Sequence, residues 1–455
     1  MADWGSYLET HAERFQDELL EFLRIPSISA LPQHAGDVRQ AAGWVEARLQ
    51  AAGVEHTEIL EVNGTPAVYA ESLVDGDGPT VLVYGHFDTQ PVDPVELWTN
   101  PPFEPVIRDD RVFARGATDD KGNMLIPILA TEAVLQTAGR LPVSLKFLFE
   151  GEEEIGSPNV VELIEENRDR LACDMVVSAD GGQWGEDQPT LLVGFKGMCA
   201  LQINVRGPGR DLHSGLYGGT VQNPVHALVR LIDSMRRPDG TITVEGFYDD
   251  VDSPTDEDRR QIARIPLDDT EYAGELDVAE LFGEPGYSTL ERAWTRPTLE
   301  VNGIWGGFTD DGIKTVLPSE AHAKITCRLV PNQEPGPILE CLDRHITANV
   351  PPGVSVDVHA FSTTARPYVV APDHPANIAA RDVLTEIYGR EPYYTRSGGT
   401  LPICGALEDR LGVSTVIFAF GLDDERQHAP DEFFRLSSFR LGQRAWCRLL
   451  EKLGE

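Results

Sequence analysis

Three short segments in the first third of the chain combine histidine and carboxylate side chains with glycine. Each lies at the end of an apolar run or in a glycine-flanked loop, and they are Gly85-His86-Phe87-Asp88, Gly116-Ala117-Thr118-Asp119-Asp120-Lys121-Gly122 and Glu150-Gly151-Glu152-Glu153-Glu154. Imidazole and carboxylate groups both bind divalent ions such as zinc and manganese. The residue types and their positions therefore indicate parts of one two-metal hydrolase centre rather than surface charge.

Apolar runs in front of these residues predict the strands that would position them. The runs are typical of strands buried on both faces, and they lie at Thr80–Tyr84, Val143–Phe149, Met175–Ala179 and Thr415–Phe420. The residues that follow these strands are, in the same order, His86, Glu150 to Glu154, Asp180 and His428. Ligands of open α/β sheets bind beyond the carboxyl ends of the strands, so we expect these side chains to meet at one edge. Asp119 adds a carboxylate from the loop that precedes a predicted helix at Met124–Thr137.

Two imidazoles and three carboxylates suit a pair of divalent ions of the zinc or manganese type. Ions about 3.5–4 Å apart need a bridging carboxylate and a bridging water, and they lower the pKa of that water towards neutrality. A nearby carboxylate can accept the proton of the water. Of the adjacent Glu153 and Glu154, one would bind a metal and the other would act as general base. Asp88 would accept the second ring N–H of His86 and fix its tautomer.

Strands alternate with helical segments in the first and last parts of the chain, which predicts an α/β fold with a mixed, mainly parallel sheet flanked by helices. Apolar residues at helical spacing predict helices at Tyr7–Leu23 and Val38–Ala52. The second of these would end at Gly53 as its C-cap.

The middle of the chain has a different pattern, with alternating segments such as Ala200–Arg206 and Ala323–Val330 beside a helix and a long acidic segment. This pattern predicts a smaller α+β domain inserted into the first domain. The predicted boundaries assign residues 1–195 and 365–455 to the catalytic domain and residues 196–364 to the insertion.

The composition is that of a soluble globular protein with an acidic surface. The 455 residues include 74 acidic and 38 basic side chains, for a net charge of −36. This charge repels nucleic acid and anionic membranes, so we expect neither as a partner. We expect no signal peptide, because the N-terminal residues Met1–Gly5 lack a basic segment and an apolar core. No apolar stretch approaches the roughly 18 residues that span a bilayer.

The six cysteines are dispersed, which favours free thiols and a reducing, cytoplasmic location. Acid-rich surfaces also suit a salty cytoplasm, because salt screens their self-repulsion. Salt adaptation is therefore a hypothesis, beside that of an ordinary soluble protein.

The order and content of four motifs resemble the dinuclear metallopeptidase family of carnosinase-like dipeptidases, carboxypeptidase G, acetylornithine deacetylase and succinyl-diaminopimelate desuccinylase. The motifs span nearly the whole chain, and they are Gly85-His86-Phe87-Asp88, Arg115-Gly116-Ala117-Thr118-Asp119-Asp120-Lys121-Gly122, Glu150-Gly151-Glu152-Glu153-Glu154-Ile155-Gly156-Ser157 and His428-Ala429-Pro430-Asp431-Glu432.

The resemblance implies a role for each residue of the centre. One metal would be bound by His86, Asp119 and Asp180, and the other by Asp119, Glu154 and His428. Asp119 would bridge the two ions, with a cis peptide bond to the residue after it. Glu153 would be the general base and Asp88 the partner of His86.

Further segments resemble the dipeptidase branch of this family. The segment Arg210–Gly219 is similar to a lid segment whose histidine, here His213, reaches the active site of the partner subunit and polarises the scissile carbonyl. The resemblance also implies that the substrate carboxylate contacts Thr315, Arg328, Gly399 and Thr400. Arg328 suits this contact because a guanidinium binds a carboxylate through two hydrogen bonds.

These features predict a homodimeric, cytoplasmic dipeptidase with two zinc or manganese ions per subunit, in which the inserted domain is a lid and dimerisation domain. An N-acyl-amino-acid deacylase or desuccinylase would use the same chemistry on a different acyl group. A catalytically silent scaffold or binding protein is an alternative of another class, against which the intact Glu153 speaks. A two-metal phosphoesterase is disfavoured because no basic cluster accompanies the motifs.

Overall fold

The computed structural model describes residues 3–76 and 78–455. These residues form two compact units. The first unit runs to Val193 and continues in Val370–Thr395 and Pro402–Glu455. The second unit comprises Gly194–Val369 and Arg396–Leu401.

The strands are numbered in chain order. Those up to residue 195 are β1 (His56–Val62), β2 (Thr65–Ser72), β3 (Thr80–His86), β4 (Val106–Arg108), β5 (Arg111–Phe113), β6 (Ser144–Glu150), β7 (Met175–Ser178), β8 (Gly182–Gln183) and β9 (Thr190–Phe195). The later strands are β10 (Gly197–Arg206), β11 (Leu212–His213), β12 (Thr298–Gly306), β13 (Val316–Leu317), β14 (Glu320–Leu329), β15 (Ser355–Ala360), β16 (Tyr368–Val369), β17 (Tyr393–Ser397), β18 (Thr415–Ile417), β19 (Gly421–Leu422) and β20 (Phe433–Arg435).

The α-helices are numbered in the same way. Those before residue 200 are α1 (Trp4–Thr10), α2 (Ala12–Leu23), α3 (Ala35–Ala52), α4 (Lys121–Ala138), α5 (Val160–Glu166) and α6 (Arg168–Leu171). The later helices are α7 (Ser214–Tyr217), α8 (Pro224–Ser234), α9 (Asp256–Ile262), α10 (Asp269–Glu275), α11 (Thr289–Thr295), α12 (Pro335–Ala348), α13 (Pro375–Tyr388), α14 (Pro402–Leu411) and α15 (Leu436–Leu453). Short 3₁₀ helices lie at Pro32–His34, Val95–Leu97, Glu153–Ile155 and Asp423–Glu425.

The first unit is built around a six-stranded sheet in the order β1-β2-β6-β3-β7-β18. The pairs β1-β2 and β2-β6 are antiparallel, whereas β6-β3, β3-β7 and β7-β18 are parallel. Every residue of β6 is buried, as is every residue of β3 except the first, in agreement with the apolar sequences. The predicted α/β fold with a mixed, mainly parallel sheet is therefore confirmed.

Helix α4 follows the loop of Asp119 and begins three residues earlier than predicted. Its sequence is apolar on all sides, as is typical of a helix in the interior, and its residues from Lys121 to Val134 are all buried. It packs against α15 and β3. The helix ends at Gly139, whose φ of 72° is left-handed and suits glycine. A buried helix thus holds the loop in front of it against the sheet.

Two further predicted elements are interrupted or shorter in the structure. The predicted helix Tyr7–Leu23 is interrupted at His11, so that α1 and α2 are separate helices. The predicted strand Thr415–Phe420 ends at Ile417, and the chain then continues as an irregular segment into β19. Helix α3 ends at Gly53, with a φ of 93°, as predicted.

The second unit contains an antiparallel sheet in the order β12-β14-β10-β15, with α8 and α12 packed on it. Burial alternates along β10 and β14, because one face of the sheet covers the apolar core and the other does not. Within the acidic segment, a short helix (α9) begins at Asp256 and is capped by Thr255. The roles of this unit as a lid and as a dimerisation domain stay predictions. Within residues 3–76 and 78–455, no helix has the length and apolar character that a bilayer crossing requires.

Candidate metal centre

The candidate metal ligands gather at the edge of the large sheet where four neighbouring strands have their carboxyl ends. These strands are β6, β3, β7 and β18, which are parallel and adjacent in that order. His86 is the last residue of β3 and is in register with Glu150, the last residue of β6. Asp180 lies two residues beyond β7. The sheet therefore brings segments that are far apart in the sequence to one edge.

Two groups of side chains at this edge have donor atoms close enough to hold an ion. One group is His86, Asp119 and Asp180, the other is Asp119, Glu154 and His428, and within each group the donor atoms lie within 4.8 Å of one another. Asp119 belongs to both groups. Its Oδ1 lies 3.1 Å from Nε2 of His86, and its Oδ2 lies 2.9 Å from Nε2 of His428. One carboxylate thus directs one oxygen to each group.

Asp88 is fully buried and contacts both the imidazole and the glutamate segment. Its Oδ1 lies 3.3 Å from Nδ1 of His86, on the opposite side of the ring from Asp119. The same carboxylate accepts backbone hydrogen bonds from Glu153 (3.2 Å) and Glu154 (3.1 Å). The contact with His86 agrees with the predicted role, and the two backbone contacts add a second role. Asp88 positions the ring and the two glutamates together.

The three consecutive glutamates differ in what their carboxylates bind. Glu152 accepts hydrogen bonds from the backbone and side-chain nitrogens of Asn159. Glu154 accepts from the backbone and side chain of Gln90 and lies 3.1 Å from Nε2 of His428. Among the described residues, no donor forms a hydrogen bond with the carboxylate of Glu153. Glu153 is therefore the glutamate with a carboxylate available for proton transfer.

A buried glutamate holds the loop that carries Asp119. Glu432 is fully buried and accepts backbone hydrogen bonds from Gly116, Thr118 and Asp119 at 3.0–3.2 Å. Its Oε2 also lies 2.7 Å from the guanidinium of Arg115. Glu432 follows His428 by four residues, so this contact connects the segments that contribute Asp119 and His428.

Asp120 also contacts the centre from this loop. Its carboxylate accepts the backbone N–H of His86 at 3.1 Å. The peptide bond between Asp119 and Asp120 is cis, as the resemblance implied.

The electrostatic environment shows an excess of buried negative charge. Burial raises the pKa of Glu153 to about 9, and the carboxylates of Asp180, Glu154 and Asp119 act in the same direction, whereas His86 opposes them. Burial also raises the pKa of Asp180 to about 6. Hydrogen bonds to Asp119 and then to Glu154 raise the pKa of His428 to about 10.

This donor set fits divalent metal ions. The carboxylates of the centre are partly or fully withdrawn from water, so their negative charge needs compensation. The imidazoles of His86 and His428 can compensate it only when they are protonated. Divalent ions would replace those protons and compensate the carboxylates, since metal binding competes with protons for the same ligand atoms. Imidazole and carboxylate ligands are compatible with both zinc and manganese.

In the second unit, β11 and β13 form a short two-stranded ribbon, in which His213 is the last residue of β11 and Thr315 immediately precedes β13. His213 is exposed and pairs with Val316, and the backbone N–H of Ser214 binds the carbonyl of Thr315 at 3.0 Å. Nδ1 of His213 accepts the N–H of Gly215 at 3.0 Å. This contact makes Nδ1 the acceptor and leaves Nε2 as the protonated nitrogen of the neutral ring. The ring can therefore donate a hydrogen bond from Nε2.

Arg328 and Thr400 are also brought together in the second unit. Nη1 of Arg328 donates to Oγ1 of Thr400 at 2.6 Å, and this hydroxyl donates to the carbonyl of Lys196 at 2.7 Å. Because a hydroxyl has one proton, Thr400 has no donor left for a substrate carboxylate in this arrangement. Gly399 is exposed, and its N–H binds the side chain of Ser397 at 2.9 Å. Thr400 thus supports the position of Arg328.

Sequence reasoning did not identify all the residues that shape the centre. Gln90 holds Glu154 through its backbone and its side chain, but nothing in the sequence around it indicates this role. Glu432 is the last residue of the motif that begins at His428, and apart from this position nothing in the sequence indicates its role. Arg115 likewise appeared in a motif without a predicted function.

Comparison with known proteins places these residues in a family context. A model described as peptidase family M20/M25/M40 matches residues 82–452. The Cys-Gly metallodipeptidase dug1 of Schizosaccharomyces pombe is 30% identical over 462 residues, which cover 98% of this chain and 97% of that protein. The Beta-Ala-His dipeptidase of Homo sapiens is 30% identical over 442 residues, which cover 94% of this chain and 87% of the relative.

A solved structure has the same fold along nearly the whole chain. It is that of an M20 family metallo-carboxypeptidase, Sso-CP2, from Sulfolobus solfataricus, with a TM-score of 0.85 and 32% sequence identity. The match covers 97% of this chain and 99% of that structure.

We predict that the metal-free protein loses stability as the pH rises from about 6.5 to 9. The folded-state pKa values of Glu153 (about 9) and His428 (about 10) lie above the ordinary values of 4.5 and 6.5. The stability from a raised pKa is complete below the unfolded value and is lost as the pH rises through the folded one. Bound metal would remove this dependence, because it favours the deprotonated ligands.

The measurement is the difference in melting temperature between manganese-loaded and EDTA-treated protein as a function of pH. Burial lowers the pKa of Lys121 to about 7, which acts in the opposite direction, but this residue is present in both samples. The difference in melting temperature between the two samples is expected to widen by several degrees between about pH 6.5 and pH 9. A constant difference would contradict the predicted competition between metal and protons.

Proposed function

The chain belongs to peptidase family M20/M25/M40, and from this membership and the geometry of the centre we propose that it is a two-metal dipeptidase. One observation carries the proposal: Asp119 directs one carboxylate oxygen to His86 and the other to His428. A carboxylate in this position can bridge two ions. We propose His86 and Asp180 as the further ligands of one ion, and Glu154 and His428 as those of the other.

The proposed reaction is hydrolysis of an amide bond by water. Two bound divalent ions would polarise the scissile carbonyl and lower the pKa of a water molecule. Glu153 would accept the proton of that water and deliver it to the leaving amine, since among the described residues it is the one of the three consecutive glutamates whose carboxylate has no hydrogen-bond partner. Asp88 would keep Glu153 in place through the backbone and would hold the ring of His86.

The proposed substrate class is a dipeptide or a related aminoacyl compound with a free carboxylate. Two relatives that match nearly the full chain are named for the hydrolysis of Cys-Gly and Beta-Ala-His. We propose Arg328 as the residue that binds the substrate carboxylate, with Thr400 as its support. Thr315 and Gly399 remain proposed contacts of the same end of the substrate.

Two related activities compete with this proposal. The similar Sso-CP2 structure is named a metallo-carboxypeptidase, which favours longer peptides as a second candidate substrate class. An N-acyl-amino-acid deacylase would need the same centre with a different acyl pocket.

A substrate panel separates these possibilities and tests the proposed function. We expect metal analysis of protein loaded with zinc or manganese to give about two ions per chain, as a bridged pair requires. The loaded protein should hydrolyse dipeptides faster than the corresponding tripeptides, N-acetyl amino acids and dipeptide amides. Faster release of amino acids from tripeptides would favour the carboxypeptidase, and faster deacetylation would favour the deacylase. Protein that binds no metal and cleaves none of these compounds would refute the proposal.

Replacement of the proposed base tests its role directly. We expect Glu153→Gln to lower kcat by about 10²–10⁴-fold, the usual contribution of general acid–base catalysis, while metal content is retained. The matched control is Glu152→Gln, because among the described residues this neighbouring carboxylate accepts hydrogen bonds from Asn159 alone. The control should keep kcat within a few-fold. Equal turnover by Glu153→Gln and the wild type would refute the assignment of the base.

The proposed action of His213 on the partner subunit is tested by mixing two inactive variants. His213→Ala should lower kcat by about 10²–10³-fold through loss of a hydrogen bond to the developing oxyanion, without loss of metal. Dimers that combine His213→Ala with Glu153→Gln subunits contain one complete site only if the histidine acts across the interface. Random mixing should then restore about a quarter of wild-type activity in a symmetric dimer. No recovery after verified subunit exchange would contradict action across the interface.

A further inference from the structure

The second unit contains two neighbouring cations that lack carboxylate partners. Over the described ranges, neither Arg328 nor Lys196 forms an ion pair with an acidic side chain. The whole chain has 74 acidic and 38 basic residues, so unpaired cations are not explained by a shortage of acids. A positive charge withdrawn from water is costly unless an anion compensates it. The pair therefore has the chemistry of an anion-binding site.

Lys196 is the more buried of the two cations. It has 3% exposure and lies between β9 and β10. Within the part of the chain that the structure describes, its ammonium donates one hydrogen bond, to the carbonyl of Arg292 at 3.3 Å, although an ammonium has three donors. Burial lowers its pKa to about 8, and the positive charges of Arg328 and Arg296 act in the same direction. Lys196 thus stays mainly charged at neutral pH.

The backbone of Lys196 organises the loop that supports Arg328. Its N–H donates to the carbonyls of Ser397 (3.2 Å) and Gly399 (3.0 Å), and its own carbonyl accepts the hydroxyl proton of Thr400. Thr400 in turn accepts a hydrogen bond from Arg328. The two unpaired cations therefore belong to one hydrogen-bonded structure, together with the loop already proposed to contact the substrate carboxylate.

A further cation in this region, Arg296, is compensated by a carboxylate. Arg296 forms two hydrogen bonds to the carboxylate of Glu284, at 2.9 and 2.8 Å. Its guanidinium also stacks on the rings of Tyr248 and Tyr287. This contrast singles out Lys196 and Arg328 as the charges that a ligand could neutralise.

A purely structural role for Lys196 would be to cap helix α11, because Arg292 lies in the last turn of that helix. Capping needs one hydrogen-bond donor, and a neutral side chain can supply it. It does not require a second charge next to Arg328. The two roles therefore make different predictions for a neutral donor at this position.

We propose that Lys196 is a specificity-determining residue that, with Arg328, forms a two-cation pocket for the free carboxylate of the substrate. This proposal rests on the proposed dipeptidase function and adds a residue to it. The pocket would favour substrates that end in a carboxylate over those that end in a neutral amide.

The test measures binding rather than turnover. The probe is a ketomethylene analogue of alanylalanine, which has no amide bond to hydrolyse, with either a free carboxylate or a carboxamide at its end. Calorimetry on the full-length, manganese-loaded protein gives the ratio of the two dissociation constants. We expect the wild type to bind the carboxylate form about 10- to 100-fold more tightly, as charge-assisted hydrogen bonds allow. Lys196→Gln should reduce that ratio about tenfold, and Lys196→Arg should largely retain it.

Lys196→Gln keeps a donor for the carbonyl of Arg292 but removes the charge. A ratio equal to that of the wild type in Lys196→Gln would therefore overturn the proposal and leave capping as the role of the residue. Lys324→Met is the control, because it removes a lysine from an exposed position of the same unit and should leave the ratio unchanged. Melting temperatures report whether each variant is folded. If Lys196→Gln is unstable, Lys196→Arg tests the pocket instead. A ratio of dissociation constants lowered tenfold in Lys196→Arg, despite the retained charge, would refute the pocket.

The binding test of Lys196 and the activity test of the proposed dipeptidase function can fail independently. A wild type that cleaves no dipeptide but shows the expected change in the ratio would refute the dipeptidase and support the carboxylate pocket. An active dipeptidase with an unchanged ratio in Lys196→Gln would refute the role of Lys196 alone.

Discussion

The carboxylate of Asp119 faces two imidazoles at once, and several segments of the first unit hold it in this position. His86 approaches one oxygen from a central strand, and His428 approaches the other from the C-terminal segment. A carboxylate in such a position needs a fixed backbone, which Glu432 provides by binding three N–H groups of the preceding loop. The same principle recurs at Asp88, which fixes a ring and two backbone groups. Buried carboxylates that accept backbone N–H groups are thus the main structural element of the centre.

The sequence was informative about the centre because its ligand-type residues follow strands with an unambiguous apolar pattern. His86, Asp180 and the glutamate segment each come directly after such a run, and parallel strands end at the same edge of a sheet. The order of strands in the sheet was not predictable, because it depends on pairing between segments far apart in the chain. The distinction between Glu153 and Glu154 came from the family resemblance, and its physical basis required coordinates. It depends on Gln90, whose contact with Glu154 has no signature in the local sequence.

Residues that act through long-range hydrogen bonds were the ones that sequence reasoning did not find. Glu432 binds groups more than 300 positions away, and an isolated glutamate is by default expected on the surface. Lys196 had no predicted role because a single lysine between two strands has the same appearance as a surface lysine. The break between α1 and α2 at His11 was missed because the apolar spacing continues through it. In each case, the role of the residue or the end of the helix depends on tertiary contacts, which the local sequence pattern does not reveal.

The contact between Glu432 and the Asp119 loop has a consequence for the order in which the chain is synthesised. A nascent polypeptide contains His86, Asp119 and Asp180 once synthesis has passed residue 180. It lacks His428 and Glu432 until the whole insertion of the second unit and most of the C-terminal segment have been translated. Until then, Asp119 has neither its second imidazole nor the buried acceptor that holds its loop. The second ligand group can therefore form only after synthesis has passed residues 428 and 432, long after the residues of the first group have been made.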